Sequence, residues 1–140
     1  MFSFDQKGAS LVTILILIIV FGLLIGGSFV LINIEKSKAR DAKRLSDITR
    51  IQAAFEFLYN DTASYGQAAT DGCSQAGMLV SQCNLKEYLP TINKFSDPGK
   101  YSYVVSQTPS DAGYQITFTL EKDYDSFRAG NHILGPAGIK

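Results

Sequence analysis

The chain has 140 residues, a length that fits one small domain. Its formal net charge is +0, which gives no support for a nucleic-acid partner or an acidic substrate. Hydrophobic residues make up 46% of the sequence, but they are concentrated in one block near the N-terminus. This uneven distribution predicts a membrane segment followed by a small domain of mixed composition.

A short polar segment, MFSFDQKG at residues 1–8, precedes the apolar block and is too short to fold by itself. Residues 11–32 carry no charge, and as a helix they would be roughly 33 Å long, enough to cross a bilayer. A removed secretory signal is the alternative, but its apolar core is usually about 7–15 residues and a small-residue cleavage site follows it. Because no such site follows here, we predict a retained membrane helix at residues 9–34.

The next segment contains no proline or glycine up to Tyr59, so the sequence predicts that the helix continues to about that residue. Apolar residues recur there at three- and four-residue steps and predict one buried stripe. The stripe consists of Ala39, Ala42, Leu45, Ile48, Ile51, Phe55 and Leu58. The opposite face carries Arg40, Lys43, Asp47 and Arg50, whose spacing favours ion pairs of Lys43 and Arg50 with Asp47 on a solvated surface.

The rest of the chain predicts turns and short strands. Residues 60–72 are rich in turn formers, and a short helix is expected around residues 75–89. Residues 101–106 and 114–120 alternate aromatic or β-branched side chains as strands do, with a hairpin loop between them and a last strand at 132–134. The predicted fold is α+β: a long N-terminal helix packed on a small antiparallel sheet, in a domain covering residues 35–140.

The two cysteines, Cys73 and Cys83, enclose a short loop that contains Gly77. An even cysteine count in a small exported domain favours a disulfide, and two free buried thiols are the alternative. A metal site at these cysteines is less favoured, because they form no C-x-x-C motif and the only histidine, His132, is far along the chain.

The junction before the apolar block reads Lys7-Gly8-Ala9-Ser10-Leu11-Val12-Thr13. It resembles the class III signal of type IV pilins and type II secretion pseudopilins, in which a basic leader ends in glycine. Gly22 falls at the fourteenth position after that glycine, where the family commonly also carries glycine. The later segments KARDAKRLSDITRIQAAFEFLYNDTASYG and GNHILGPAGIK look like the outer half of a pilin helix and the closing strand of small pilins.

The resemblance implies removal of residues 1–8 by a prepilin peptidase, which cuts between Gly8 and Ala9, and methylation of Ala9. It implies a structural subunit, anchored by a single pass in the inner or cytoplasmic membrane with its C-terminal domain outside, that enters a cell-surface filament. Its expected partners are copies of itself, other pilins, the pilus assembly platform and the membrane; nucleic acid is not favoured. Gly22, Gly26 and Gly27 suit a filament core, since small residues let helix backbones approach closely.

The sequence departs from the family pattern where pilins usually carry a glutamate, at the fifth mature position. Thr13 stands there, and Val30 replaces a proline that is frequent at the twenty-second. The missing glutamate predicts either a minor subunit that needs a glutamate-bearing partner or a filament with a different contact to the terminal amine. A second hypothesis, of another class, is a signal-anchored surface domain that does not polymerise and binds a partner.

The orientation of the membrane helix rests on two opposed signals. Lys36, Lys38, Arg40, Lys43 and Arg44 follow the helix, and the positive-inside rule alone would keep that side in the cytoplasm. The leader motif and the cysteine pair indicate the opposite orientation.

No nucleophile with a base, paired carboxylates or metal cluster is visible in the sequence, so an enzyme is not predicted. Major pseudopilins often hold calcium in a late loop, and the resemblance makes Asp123, Asp125 and Asn131 weak candidates for calcium. Scattered oxygen ligands without loop spacing are more often solvated, so no cofactor is expected.

Overall fold

The computed structural model describes residues 11–140, and it describes the side chains of residues 11–26 and 32–140. The chain divides by its contacts into two units, Met1–Lys36 and Ser37–Lys140. In the first unit, the described residues from Leu11 onward are helical. In the second, the continuation of this helix packs on a four-stranded antiparallel sheet. The predicted α+β class is confirmed.

Helix α1 covers Leu11–Thr62, three residues beyond the predicted end. Its last turn closes through Ala63, whose N–H donates to Tyr59 O at 2.7 Å. Ala63 has φ 54°, a left-handed conformation that ends helices and is usually supplied by glycine. Alanine at position 63 does not mark a helix end in the sequence, so the predicted end of α1, at Tyr59, is too early.

The sheet is a meander in the order β1-β2-β3-β4, with β1 Val104–Ser110, β2 Gly113–Leu120, β3 Gly130–Gly135 and β4 Gly138–Ile139. Strands β1 and β2 pair from Val104 with Thr117 to Ser110 with Gly113, so the hairpin loop is shorter than predicted. Strand β4 was missed, because its two residues are too few to show alternation.

The helix expected around residues 75–89 is wrong. Only a 3₁₀ turn, Val80–Gln82, forms in that range. Two other 3₁₀ turns lie on either side of it, at Gly66–Ala69 and Ile92–Lys94. Backbone pairing with β1 replaces the helix: Gly77 N–H donates to Val105 O, and Val105 N–H donates to Met78 O, each at 2.8 Å. Long-range strand contacts therefore override the local helical pattern.

The core lies between the second half of α1 and the inner face of the sheet. Ile48, Ile51, Phe55 and Leu58 are buried in it, and Leu45 packs against it, as the predicted stripe requires. The ring of Phe55 stacks on that of Tyr114 of β2, with 3.9 Å between their centroids. These contacts fix which face of the helix meets the sheet.

Candidate functional site

The N-terminal part of α1 is apolar and exposed on every side. Thirteen large apolar side chains between Leu11 and Ile25 have exposed fractions of 45% to 85%. Thr13 lies among them and is also exposed. A helix that is hydrophobic all round is normally covered by lipid or by other protein. This surface is therefore the first candidate functional site.

Two of the predicted assembly residues, Gly22 and Gly26, lie on this surface. A Cβ added at either position would meet no atom within 4 Å. Among the residues that the structure describes, none therefore requires glycine at these positions. Gly8 and Ala9, and the side-chain position of Gly27, lie outside the described residues.

The same limit applies to the predicted membrane segment, since residues 9 and 10 and the side chains of 27–31 are not described. Among the residues that are described, the structure contains no helical stretch both long and apolar enough to cross a membrane.

A buried arginine cluster forms the second candidate site, where α1 meets the end of β2 and the loop after Ile92–Lys94. Its centre is Arg44, whose side chain is fully buried. Arg44 donates from Nε and Nη2 to Asp97 at 2.5 and 2.9 Å, and from Nη1 to Asp41 at 2.6 Å and Glu121 at 2.8 Å. One guanidinium therefore joins three carboxylates from three segments.

Arg40 and Asp41 complete the cluster. Arg40 donates to both oxygens of Glu121, at 2.7 and 2.5 Å. Asp41 is fully buried and accepts the backbone N–H groups of Glu121 and Lys122, each at 2.9 Å. Asp41 therefore satisfies the two backbone donors that directly follow β2. We call the five side chains of Arg40, Asp41, Arg44, Asp97 and Glu121 the polar latch.

The charges of the polar latch are strongly stabilised. Hydrogen bonding to Asp97 raises the pKa of Arg44 further above its ordinary value, although burial opposes this. Burial alone would raise the pKa of Asp97, but the hydrogen bonds from Arg44 and Gly99 N–H hold it below the ordinary value. Hydrogen bonds from Arg40, and then from Arg44, lower the pKa of Glu121 to about 2. All three groups are therefore charged at neutral pH.

The prediction that Arg40, Lys43, Asp47 and Arg50 form a solvated face is therefore wrong in part. The predicted pair of Lys43 with Asp47 is present at 2.5 Å, but Asp47 is buried and also accepts the hydroxyl of Tyr103 at 3.1 Å. Arg40 belongs to the polar latch, where it pairs with Glu121, and the guanidinium of Arg50 lies 4.9 Å from the centre of the Phe95 ring. Ala39, predicted to be buried, is exposed.

The sequence contained a signal for the polar latch that the apolar pattern alone missed. The buried stripe runs through Ser37, Asp41, Arg44, Ile48, Ile51, Phe55 and Leu58, at steps of three and four residues. The first part of this stripe is polar. A pattern based on apolar residues alone therefore selected Ala39 and Ala42, which lie in a different register from the buried residues. Burying a charge is costly without partners, and those partners come from distant segments.

The predicted disulfide is present. Cys73 and Cys83 are bonded, with 4.4 Å between their Cα atoms, and both are buried. The backbone beside the bond is closely packed: a Cβ added at Gly72 would lie 2.6 Å from Asn84 N. The disulfide closes this loop, and at position 72, directly before Cys73, the packing leaves room only for glycine.

The calcium candidates have separate hydrogen-bond partners. Asp123 accepts Ala129 N–H at 2.7 Å, and Asn131 accepts the hydroxyl of Thr119 at 2.7 Å. Asp125 is exposed, with φ 51°. Within residues 11–140, the structure groups no three His, Cys, Asp or Glu side chains in a way that could hold a metal ion.

His132 lies in β3, as the predicted last strand requires. It is half-buried, and its Nε2 is 2.7 Å from Arg128 O. Its ring lies between those of Phe118 and Phe127, at centroid distances of 5.5 and 5.6 Å. These contacts give the histidine a packing role.

Comparison of the chain with protein-family models, with curated proteins and with solved structures finds no match in any of the three. The resemblance at the N-terminal junction therefore stays a prediction, and function must be inferred from the two candidate sites.

Proposed function

We propose that this chain is a membrane-anchored structural subunit of a filament of the type IV pilin or pseudopilin kind. The observation that carries the proposal is the apolar helix surface between Leu11 and Ile25, which is exposed on every side. It is continuous in sequence with the second unit, Ser37–Lys140, which we call the outer unit under this proposal. The proposed role is mechanical, in that the helix anchors and assembles while the outer unit forms the filament surface.

The free energy of the exposed helix supports an anchoring and assembly role. If covering each of its thirteen large side chains yields about 1–2 kcal/mol, the total is on the order of 13–26 kcal/mol. That total equals or exceeds the upper part of the stability range of a typical domain, roughly 5–15 kcal/mol. The helix is thus stable in lipid, and it can leave lipid only if other apolar helices replace it. A bundle of identical helices in a filament core would provide this.

The glycines support close packing in such a core. Gly22 and Gly26 have open space where a side chain would be, and each lowers helix stability by about 1 kcal/mol relative to alanine. Because no contact with the described residues requires them, we propose that they provide close backbone approach to a neighbouring helix.

The outer unit supports the proposed orientation in two ways. Disulfides form and persist in oxidising compartments, which favours placing the bond of Cys73 with Cys83 outside the cytoplasm. Arg40, Lys43 and Arg44 of the basic flank are each ion-paired to carboxylates of the folded unit. These residues therefore have a role in the fold that does not depend on membrane topology.

Thr13 suggests a minor subunit. A carboxylate at this position would be costly in a bilayer and would gain from pairing with a neighbour's terminal amine. Threonine offers only a hydroxyl, and hydrogen bonds between membrane helices contribute about 0.6 kcal/mol on average. We propose that the chain enters filaments beside a partner subunit that carries the glutamate, after peptidase cleavage at Gly8 and with the help of the assembly platform.

The test is expression as the sole pilin in cells that contain a complete assembly machinery, with sheared filaments quantified by immunoblot. We expect few filaments from the unmodified chain, more from Thr13→Glu, and incorporation of the unmodified chain when a glutamate-bearing pilin is co-expressed. Thr13→Val, which keeps the shape but removes the hydroxyl, is the matched control and should behave like the unmodified chain.

Abundant filaments of the unmodified chain alone would eliminate the minor-subunit proposal. If no variant enters filaments under any condition and the protein stays in the membrane with Met1 intact, the filament proposal fails. A non-polymerising, partner-binding surface domain would then be the better account.

A further inference from the structure

An open groove lies beside the second half of α1, within the unit Ser37–Lys140. Its volume is about 390 Å³, in the range of sites that hold a small ligand. Its lining is mainly apolar and comes from α1 and from the segment that leads into the 3₁₀ turn Ile92–Lys94. We call it the docking groove, and its lining includes Arg50, Ala53, Ala54, Phe57, Leu89 and Pro90.

The docking groove combines an exposed aromatic ring with a cation. Phe57 is 58% exposed, more than any other large apolar side chain described in this unit. Arg50 lies about two helical turns before it and is exposed. Among the described residues Arg50 has no carboxylate partner, and its guanidinium lies over the ring of Phe95. The groove is therefore complementary to a segment that carries an aromatic ring and a carboxylate.

The loop between β2 and β3 has this chemistry. Residues 123–127 read Asp-Tyr-Asp-Ser-Phe, and we call them the acidic knob. Backbone hydrogen bonds in both directions between Tyr124 and Phe127, at 2.8 and 2.9 Å, hold the knob in a tight turn. Tyr124 is half-buried, and Asp125 is exposed without a hydrogen-bond or ion-pair partner among the described residues. The knob therefore presents a ring and a carboxylate in a preorganised turn.

We propose that the acidic knob of one copy of this chain docks in the docking groove of a second copy, with Tyr124 against Phe57 and Asp125 paired with Arg50. This inference rests on the proposed function, since it names a contact between filament subunits. Covering Phe57 and Tyr124 together removes apolar surface from water, which favours the contact. The ion pair lies at the rim, where charges set register and partner choice more than affinity.

The positions of the knob and the groove favour a repeating contact over a closed pair. The knob directly follows Glu121 and Lys122, whose backbone N–H groups are held by Asp41. The groove lies beside Ala54, which is on the order of 20 Å further along the helix axis than Asp41. Because the two surfaces are different and separated, each added copy leaves one free knob and one free groove. Contacts of this heterologous kind build open filaments when the rotation between copies does not close a ring.

The test is photo-crosslinking of the full chain in detergent micelles, with benzoylphenylalanine in place of Phe57 and the linked peptides identified by mass spectrometry. A mixture of isotope-labelled and unlabelled copies separates links between copies from links within one. We expect links between copies that join position 57 to residues 123–127. Benzoylphenylalanine in place of Ile133, another exposed apolar side chain of the same unit, is the matched control and should give at least tenfold fewer of these links.

Substitution of the charged pair tests the register of the contact. Arg50→Met and Asp125→Asn should each lower the yield of these links about fivefold, as expected for one exposed ion pair. Asparagine is chosen because it tolerates the left-handed φ of 51° at position 125. The double variant should lose no more than either single variant, since both remove the same pair. Asp71→Asn, at an exposed aspartate with φ 55° in another loop, is the matched control and should leave the yield unchanged.

The proposal is overturned if position 57 links only to the apolar helix at residues 11–25 of a second copy, or to no second copy at all. Additive losses in the double variant would also overturn it, because Arg50 and Asp125 would then not contact each other. Links between knob and groove in micelles, without filaments in cells, would support this contact and count against the filament proposal. Filaments whose subunits give no such links would do the reverse.

Discussion

Replacing Arg44 with methionine tests the energetic importance of the polar latch. The change removes a fully buried cation and leaves Asp41 and Asp97, which are themselves buried or nearly so, without it. Breaking a buried pair by removing one partner typically costs about 3–5 kcal/mol. Here the carboxylates keep other donors, since Asp41 retains two backbone N–H groups, Asp97 retains Gly99 N–H and Glu121 retains Arg40. We therefore expect the lower part of that range, about 3–4 kcal/mol.

The measurement is urea unfolding of the full chain in detergent, followed by the near-ultraviolet circular dichroism of its tyrosines. Arg50→Met is the matched control, because Arg50 is exposed on the same helix and its contact over Phe95 is worth about 0.5–1 kcal/mol. The two variants should have the same m-value as the unmodified protein. If Arg44→Met costs no more than Arg50→Met, the latch does not hold a charge that the fold needs, and the reasoning fails.

Three further predictions concern the second unit, Ser37–Lys140. Replacing both Cys73 and Cys83 with serine should lower the free energy of unfolding by about 2–3 kcal/mol, from the entropy of a ten-residue loop, and an unchanged urea midpoint would contradict this. Gly72→Ala should cost more than about 2 kcal/mol, because its Cβ would lie 2.6 Å from Asn84 N and the backbone must shift; a melting temperature within 2 °C of the unmodified protein, on the order of 0.5 kcal/mol, would refute that packing. Acid should remove on the order of 1–2 kcal/mol between about pH 4.5 and pH 2, since the folded chain holds the pKa of Glu121 at about 2 and the unfolded chain binds that proton first. Glu121→Gln should flatten this part of the stability profile, and an unchanged profile would show that another group titrates.

The fold class was predictable because its main signals are local. The uncharged run, the absence of helix breakers before Tyr59 and the alternation in residues 114–120 each indicate one element within a short window. The apolar core positions from Ile48 to Leu58 follow from the helical period. The cysteine pair was predictable from its even count and setting, without knowledge of the loop around it.

The helical spacing of Ser37, Asp41 and Arg44 is a local signal, but the distant partners of Arg44 were not predictable, because Asp97 and Glu121 lie 53 and 77 residues from it in the sequence. A charged residue within a helix is normally predicted to be solvent-exposed. Arg44 is buried because Asp97 and Glu121 pair with it, and no local sequence pattern identifies these two residues as its partners. The prediction of a helix at residues 75–89 failed for a related reason, because pairing with β1 determines their conformation. Non-local contacts account for both errors.

The most direct test of the proposed function is the intact mass of the chain recovered from native surface filaments. The account predicts a chain that begins at Ala9, lacks residues 1–8 and carries one methyl group on its terminal amine, with Cys73 and Cys83 oxidised. Gly8→Val should abolish this product and leave the precursor in the membrane. A full-length chain beginning at Met1 in purified filaments, or a chain with two free thiols, would contradict the account.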